Sequence, residues 1–232
     1  MIKFPLHLKT SFNFFLSLLL LLSIAATAGT VHITNVNTDK AMYSPGAGTT
    51  IYVDLTNSTA SSFSGTVEVR ISHVGDVVAE LSPQAISSLG SYQDTAKIFS
   101  WTPPSTDHHG YLVEVTLKDA SGQVIDKGSA AIDVSSDWRR FPRYGYISHF
   151  NTGLDTGHIM WQLKNYHING LQYMDVGWKH HIPAPPAEWS TWPDVAYRTN
   201  SRATVTGFTS AAAYYNMKSL IYDDWGAAYD DC

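Results

Sequence analysis

Cysteine is almost missing from these 232 residues: the one present, Cys232, is the final residue, so no internal disulfide can form and stability has to come from burial. Positive charge is also scarce. Fifteen Lys and Arg stand against twenty Asp and Glu, a formal net charge of −5, and such a surface lacks the basic field that nucleic-acid binding requires. No Gly-x-Gly-x-x-Gly run opens a helix-like segment, which argues against a dinucleotide-binding sheet. The apolar run from about Phe12 to Ile24 is roughly 13 residues long, short of the ~20 that a membrane-crossing helix needs.

That run follows Lys3 and Lys9 and precedes Ala26-Thr27-Ala28, small residues of the kind a signal peptidase reads. Residues 1–28 therefore read as a secretory signal peptide cleaved after Ala28, leaving a secreted chain with no membrane partner. Cleavage removes two lysines and no acid, so the mature chain is more acidic still. A neutral polymer remains compatible with that charge. Seven Trp and thirteen Tyr suit a sugar binder where the rings line a cleft, although most such rings pack in cores. Asn57-Ser58-Thr59 matches the N-glycosylation acceptor pattern.

From residue 29 to 136 the pattern is short alternating apolar runs separated by turns, as in an antiparallel β-sandwich. Strands are expected at Val31–Val36, Thr50–Leu55, Thr66–Ser72, Val77–Leu81, Ala96–Trp101, Tyr111–Leu117 and Ala130–Val134. About seven strands in roughly 105 residues fit an immunoglobulin-like sandwich without its usual disulfide. His108-His109 lies in a polar loop, where adjacent side chains on extended backbone diverge, so shared metal ligation is not expected. Ser135-Ser136-Asp137 is too brief a link for independent beads, which implies two domains in contact, with Trp138, Phe141 and Pro142 packed in the junction.

Residues 137–232 change to strand, helix, strand, helix, strand, which implies a parallel α/β sheet. Tyr144–Phe150 reads as the first strand. Asp155 caps a helix carrying Ile159, Met160, Leu163 and Tyr166 at helical spacing, and Asn169-Gly170 reads as its left-handed stop. Leu171–Val176 is the second strand. A long loop spans Gly177–Ser201, a helix runs from about Arg202 to Tyr215 and ends at Asn216, and Met217–Tyr222 is the third strand. Periodicity leaves a doubly wound sheet and a barrel both open.

Four stretches occur in order: Phe141-Pro142-Arg143-Tyr144-Gly145-Tyr146, Tyr166-His167-Ile168-Asn169-Gly170-Leu171-Gln172, Lys179-His180-His181 and Met217-Lys218. With them the chain resembles the dextranase and cycloisomaltooligosaccharide glucanotransferase family of glycoside hydrolases. The resemblance implies an immunoglobulin-like domain before a (β/α)8 barrel acting on α-1,6-glucan. Such a barrel takes ~250 residues, so the stretch after Asp137 has room for about three of its strands, an incomplete barrel, and the chain reads as the N-terminal part of a larger enzyme.

On this reading the substrate-binding candidates sit after the strands: His149 after the first; Asp175, Trp178, Lys179 and His180 after the second; Tyr222 and Asp223 after the third. A carboxylate such as Asp175 accepts sugar hydroxyls while Trp178 stacks on a glucose ring; the competing reading has Asp175 paired with Lys179 or His180 to hold the loop, and Trp178 as packing. Glu188, Trp189 and Trp192 form either a sugar-facing lip or surface packing. His180-His181 lacks a third ligand at metal spacing, so neither a metal nor another cofactor is expected. In the resembled family the nucleophilic Asp and acid Glu lie on later strands, so no catalytic residue is assigned. The sequence departs from the family at Val176-Gly177, where a bulkier Trp-Gln pair is usual, and at Asp223-Asp224. Two other readings stand beside this one: a non-catalytic glucan-binding or adhesion module using the sandwich, and a product whose open strand edges prevent stable folding.

Overall fold

In the computed structural model, residues 30–179, 182–194 and 196–222 are described; the leader reading of residues 1–28, and His180, His181 and Asp223, lie outside them. Two antiparallel sheets come first. One has the order β1-β2-β5, from Val31–Thr38, Thr49–Asn57 and Asp94–Trp101; the other has the order β4-β3-β6-β7, from Asp76–Leu89, Phe63–His73, His109–Asp119 and Val124–Val134. Each expected strand is present. Alternation does the work: Ile51, Val53 and Leu55 of β2 and Val67, Val69 and Ile71 of β3 point inward, as do Val113, Val115 and Leu117 of β6. The side chains between them face outward, as a strand buried on one side requires. Burial of one such side chain stabilises the fold by about 1.5–3 kcal/mol.

β4 runs on to Leu89, past the Leu81 end that the alternation implied, because Ile86 and Leu89 reach the core beyond Pro83. The turn from β3 into β4 is Val74-Gly75, at φ 49° and 92°, the two positive values that a type I′ hairpin demands. Asn57 is fully buried: Nδ2 lies within hydrogen-bond distance of the carbonyls of Ser61, Leu89 and Gly90, and Oδ1 accepts from Thr59. In the folded chain that amide is a structural clamp, with no room for a glycan.

The connection between β1 and β2 docks onto the second half of the chain. The Ala41 N–H donates to the carbonyl of Tyr215, Asn216 Nδ2 donates to that of Met42, and Ala41 itself belongs to the second hydrophobic core. Asp133 pairs with Arg143 across the junction. Ser135-Ser136-Asp137 is held by its own bonds, Ser135 Oγ to the Asp137 carbonyl and Ser136 to Asp107, and leads into a short 3-10 turn at Trp138–Arg140.

Beyond it come β8 (Tyr144–Ile147), α1 (Thr156–Asn165), β9 (Gly170–Tyr173), a small hairpin of β10 (Thr191–Pro193) and β11 (Thr199–Ser201), α2 (Arg202–Tyr214) and β12 (Lys218–Ile221). The sheet order is β12-β9-β8, and both pairings are parallel. Each crossover passes through a helix, and both helices pack on one face of the sheet, around Ile147, Leu171, Tyr173, Met160, Phe208 and Ala212. Asp155 caps α1 by accepting from the His158 N–H. The expected stop at Asn169-Gly170 is displaced. His167 takes the left-handed conformation at φ 55°, while buried Asn169 accepts from the Arg143 N–H and donates to the Phe141 carbonyl. Gly170 opens β9 because Trp138 lies against it: a Cβ there would sit 2.6 Å from the indole. The span read as a single long loop contains the β10–β11 hairpin, too short for alternation to reveal.

Candidate functional site

The carboxyl ends of β8, β9 and β12 lie level, because the ladder continues past the strands: the Met174 N–H donates to Ile147 at 2.8 Å and the Tyr222 N–H to Tyr173 at 3.1 Å. Ligands of parallel α/β sheets gather at that edge. His149, Asp175 and Tyr222 therefore leave adjacent strands at the same rim. His149 is exposed, with Nδ1 3.1 Å from Ser148 Oγ. Tyr222 is half-buried.

Asp175 leaves β9 in the left-handed conformation, φ 54°, which Asp tolerates better than most side chains. Its Oδ2 accepts from Arg198 Nη2 at 2.7 Å, and the Nε of the same guanidinium reaches buried Asp194 at 2.7 Å. Asp175 is thus fixed by Arg198. Its second oxygen, Oδ1, has no protein partner among the described residues, so the ion pair sets the carboxylate in place and leaves an acceptor open. Salt bridging of this forked kind is directional as well as attractive.

The hairpin supplies the rest of the support. Trp192 Nε1 donates to the Val176 carbonyl at 2.9 Å and Asn200 Nδ2 to that of Asp175 at 3.1 Å. The Ser201 N–H donates to the Phe150 carbonyl at 2.7 Å, which ties the loop after β8 to the same hairpin. Trp192, 4% exposed, is an anchor and not a lip. Trp178 is braced: Trp189 meets it edge-on at 5.2 Å, and Lys179 Nζ lies 4.9 Å from its ring centroid. Its backbone N–H closes a tight loop onto the Pro183 carbonyl.

Arg198, Asp194 and Asn200 were not among the residues that the sequence singled out. The signal available was the spacing of Asp194 and Arg198 on either side of a turn. Among the described residues no group of three His, Cys, Asp or Glu is placed to hold a metal ion. A broad concavity of about 910 Å³ lies elsewhere, on the outer face of the four-stranded sheet. Within it Arg70 pairs with Glu114, and no aromatic ring lines it. In the first two sheets, Trp101 and Tyr111 pack edge to face at 4.9 Å.

Comparison with known proteins places the chain in a class of carbohydrate-active enzymes. The glycosyl hydrolase family 66 profile matches residues 38–231, and the chain belongs to that family. It is 38% identical over 205 residues to a cycloisomaltooligosaccharide glucanotransferase of Niallia circulans, covering 85% of this chain and 20% of that protein. A dextranase of Streptococcus salivarius is 26% identical over 147 residues, 55% of this chain and 17% of the relative. The crystal structure of a Paenibacillus cycloisomaltooligosaccharide glucanotransferase complexed with cycloisomaltoheptaose superimposes with a TM-score of 0.76 at 32% identity, over 84% of this chain and 28% of that one. The chain spans about a fifth of the length of these curated glucanotransferase relatives.

Proposed function

We propose that this chain is a secreted, α-1,6-glucan-recognising portion of a family 66 enzyme: an immunoglobulin-like sandwich at residues 29–136 followed by the first three strands of a (β/α)8 barrel at residues 137–232. On its own it binds α-glucan without cleaving it. Export rests on the leader-like run before Ala28. The substrate class rests on the family, whose relatives are named for dextran and cycloisomaltooligosaccharides.

The observation that carries the reading is the Asp175 carboxylate, fixed by Arg198 through one oxygen, three residues before the braced Trp178 ring. Sugar sites combine such an acceptor with an apolar ring face. His149, Lys179 and Tyr222 complete the same rim, with His180 and Asp223 assigned to it from sequence order. A retaining glycosidase needs two carboxyl groups about 5 Å apart, one of them able to give a proton. Asp175 and Asp194 are instead both engaged by the single guanidinium of Arg198.

Electrophoresis through gels containing dextran tests the proposal. The chain is expected to be retarded, and Asp175→Asn and Trp178→Ala to weaken that retardation at least fivefold. Unchanged mobility of both variants would refute the assignment of this rim.

A further inference from the structure

A second aromatic groove lies where the outer face of β1 and β2 meets the helices. It is about 290 Å³ in volume, lined by Asp39, Tyr52, Asp54, Trp161, Lys164 and Tyr214, with Asn37 and Tyr215 at its base. Its floor follows from strand alternation. Ile51, Val53 and Leu55 point into the core, so Tyr52 and Asp54 face out, opposite Asn37 and Asn35 in register. The walls come from α1 and the end of α2, brought over the sheet by the docking of the β1–β2 connection.

The polar groups of this groove divide into those that build it and those that are unspent. Lys164 Nζ donates to the Thr38 carbonyl at 2.6 Å and to Asn37 Oδ1 at 3.2 Å. Lys40 sits 3.8 Å above the Tyr214 ring, and Tyr215 meets that ring edge-on at 5.0 Å. Asp39 Oδ1 accepts from the Tyr43 hydroxyl at 2.6 Å and from the Thr50 N–H at 2.8 Å, and Asp54 Oδ2 accepts from Asn35 at 3.1 Å. Among the described residues, Trp161 Nε1, the hydroxyls of Tyr52, Tyr214 and Tyr215, and one oxygen each of Asp39 and Asp54 make no bond to protein. Trp161, 39% exposed and stacked with His158 at 5.7 Å, and Tyr214, 65% exposed beneath Lys40, present their remaining ring surface to solvent.

We infer that this groove is a second carbohydrate site, taking a short stretch of neutral glucan. Lys164 lines the groove beside the two carboxylates, its ammonium already donating to the Thr38 carbonyl and Asn37. Exposed rings with unspent donors and acceptors around them match a ligand that alternates C–H faces with hydroxyls. Identification of the sugar as α-glucan rests on the proposed function; the site itself is separate from the Asp175 rim.

Dextran-gel electrophoresis of the full chain, Trp161→Ala, Asp54→Asn and Asp175→Asn tests it, with thermal melts to verify folding. The expected result is at least a fivefold loss of apparent affinity in Trp161→Ala and in Asp54→Asn. Loss on Asp175→Asn alone, with Trp161→Ala and Asp54→Asn unchanged, overturns this inference and leaves the proposed function standing. Loss in the two groove variants with Asp175→Asn unchanged supports the groove and refutes the rim. A parent chain that is not retarded overturns both.

Discussion

Raising the pH from 7 to 10 is expected to stabilise this protein, through Lys164. The residue is 2% exposed, and burial lowers its pKa from 10.5 to about 8, with Asp39 pulling weakly the other way. Unfolding returns the amine to water and to its ordinary value. Below about pH 8 both states carry the proton, and the folded state bears the full cost of a buried charge. Between about pH 8 and 10.5 the unfolded chain binds more protons than the folded one, so stability rises with pH through that window. The gap between the two values corresponds to about 3 kcal/mol, of which about 2 kcal/mol is recovered by pH 10. Urea denaturation followed by tryptophan fluorescence at pH 7, 8, 9 and 10, on the parent and on Lys164→Met, isolates the effect, because other titrating groups are common to both. The pH range stops at 10 because burial pushes the Tyr43 hydroxyl above its ordinary value, which acts in the opposite direction once free tyrosine ionises. An identical pH slope in parent and variant would refute the reasoning.

Four other outcomes follow from single contacts. Asn57→Ala strips the buried carbonyl of Leu89 and the part-buried ones of Ser61 and Gly90 of their donor and is expected to cost about 2–3 kcal/mol in urea denaturation. Gly170→Ala drives a methyl against Trp138 and is expected to cost about 1–3 kcal/mol and to alter tryptophan emission; an unchanged spectrum and melt would argue against that packing. Val74→Asn relieves a β-branched residue at φ 49° and 90% exposure, for a gain of about 1 kcal/mol read in the same denaturation. Arg198→Met leaves the Asp194 carboxylate, 1% exposed, with only its backbone donors; because the arginine is itself 38% exposed, the expected loss is about 2 kcal/mol. Faster amide exchange across residues 191–201 would locate that loss in the hairpin.

The strands were legible wherever one face meets a core and the other meets water, as in Tyr111–Leu117, because alternation records that asymmetry directly. The capping role of Asp155 was legible for a similar reason, since its side chain serves backbone three residues on, and the end of α2 at Asn216 because asparagine tolerates the left-handed conformation it takes there, φ 58°. Long-range clamps were not. Asn57 looks like a glycan acceptor until the strand ends that surround it are in place, and Asn169 looks like a helix stop until Phe141 and Arg143 are brought beside it. At the rim, Asp175 and Trp178 stood out as residue types suited to sugars. Arg198, which fixes Asp175, is 23 residues away in sequence and reaches it only because β10 and β11 fold back, and three-residue strands leave no periodic trace. The β1–β2 connection reads as a plain turn, yet it holds the two halves of the chain together through Ala41 and Met42.

Recognition without cleavage is tested most directly by incubating the 232-residue chain with dextran and separating the products by size. A polymer distribution identical to the blank is expected, with no shorter or cyclic glucans. Product formation above the blank, abolished by Asp175→Asn, would contradict it.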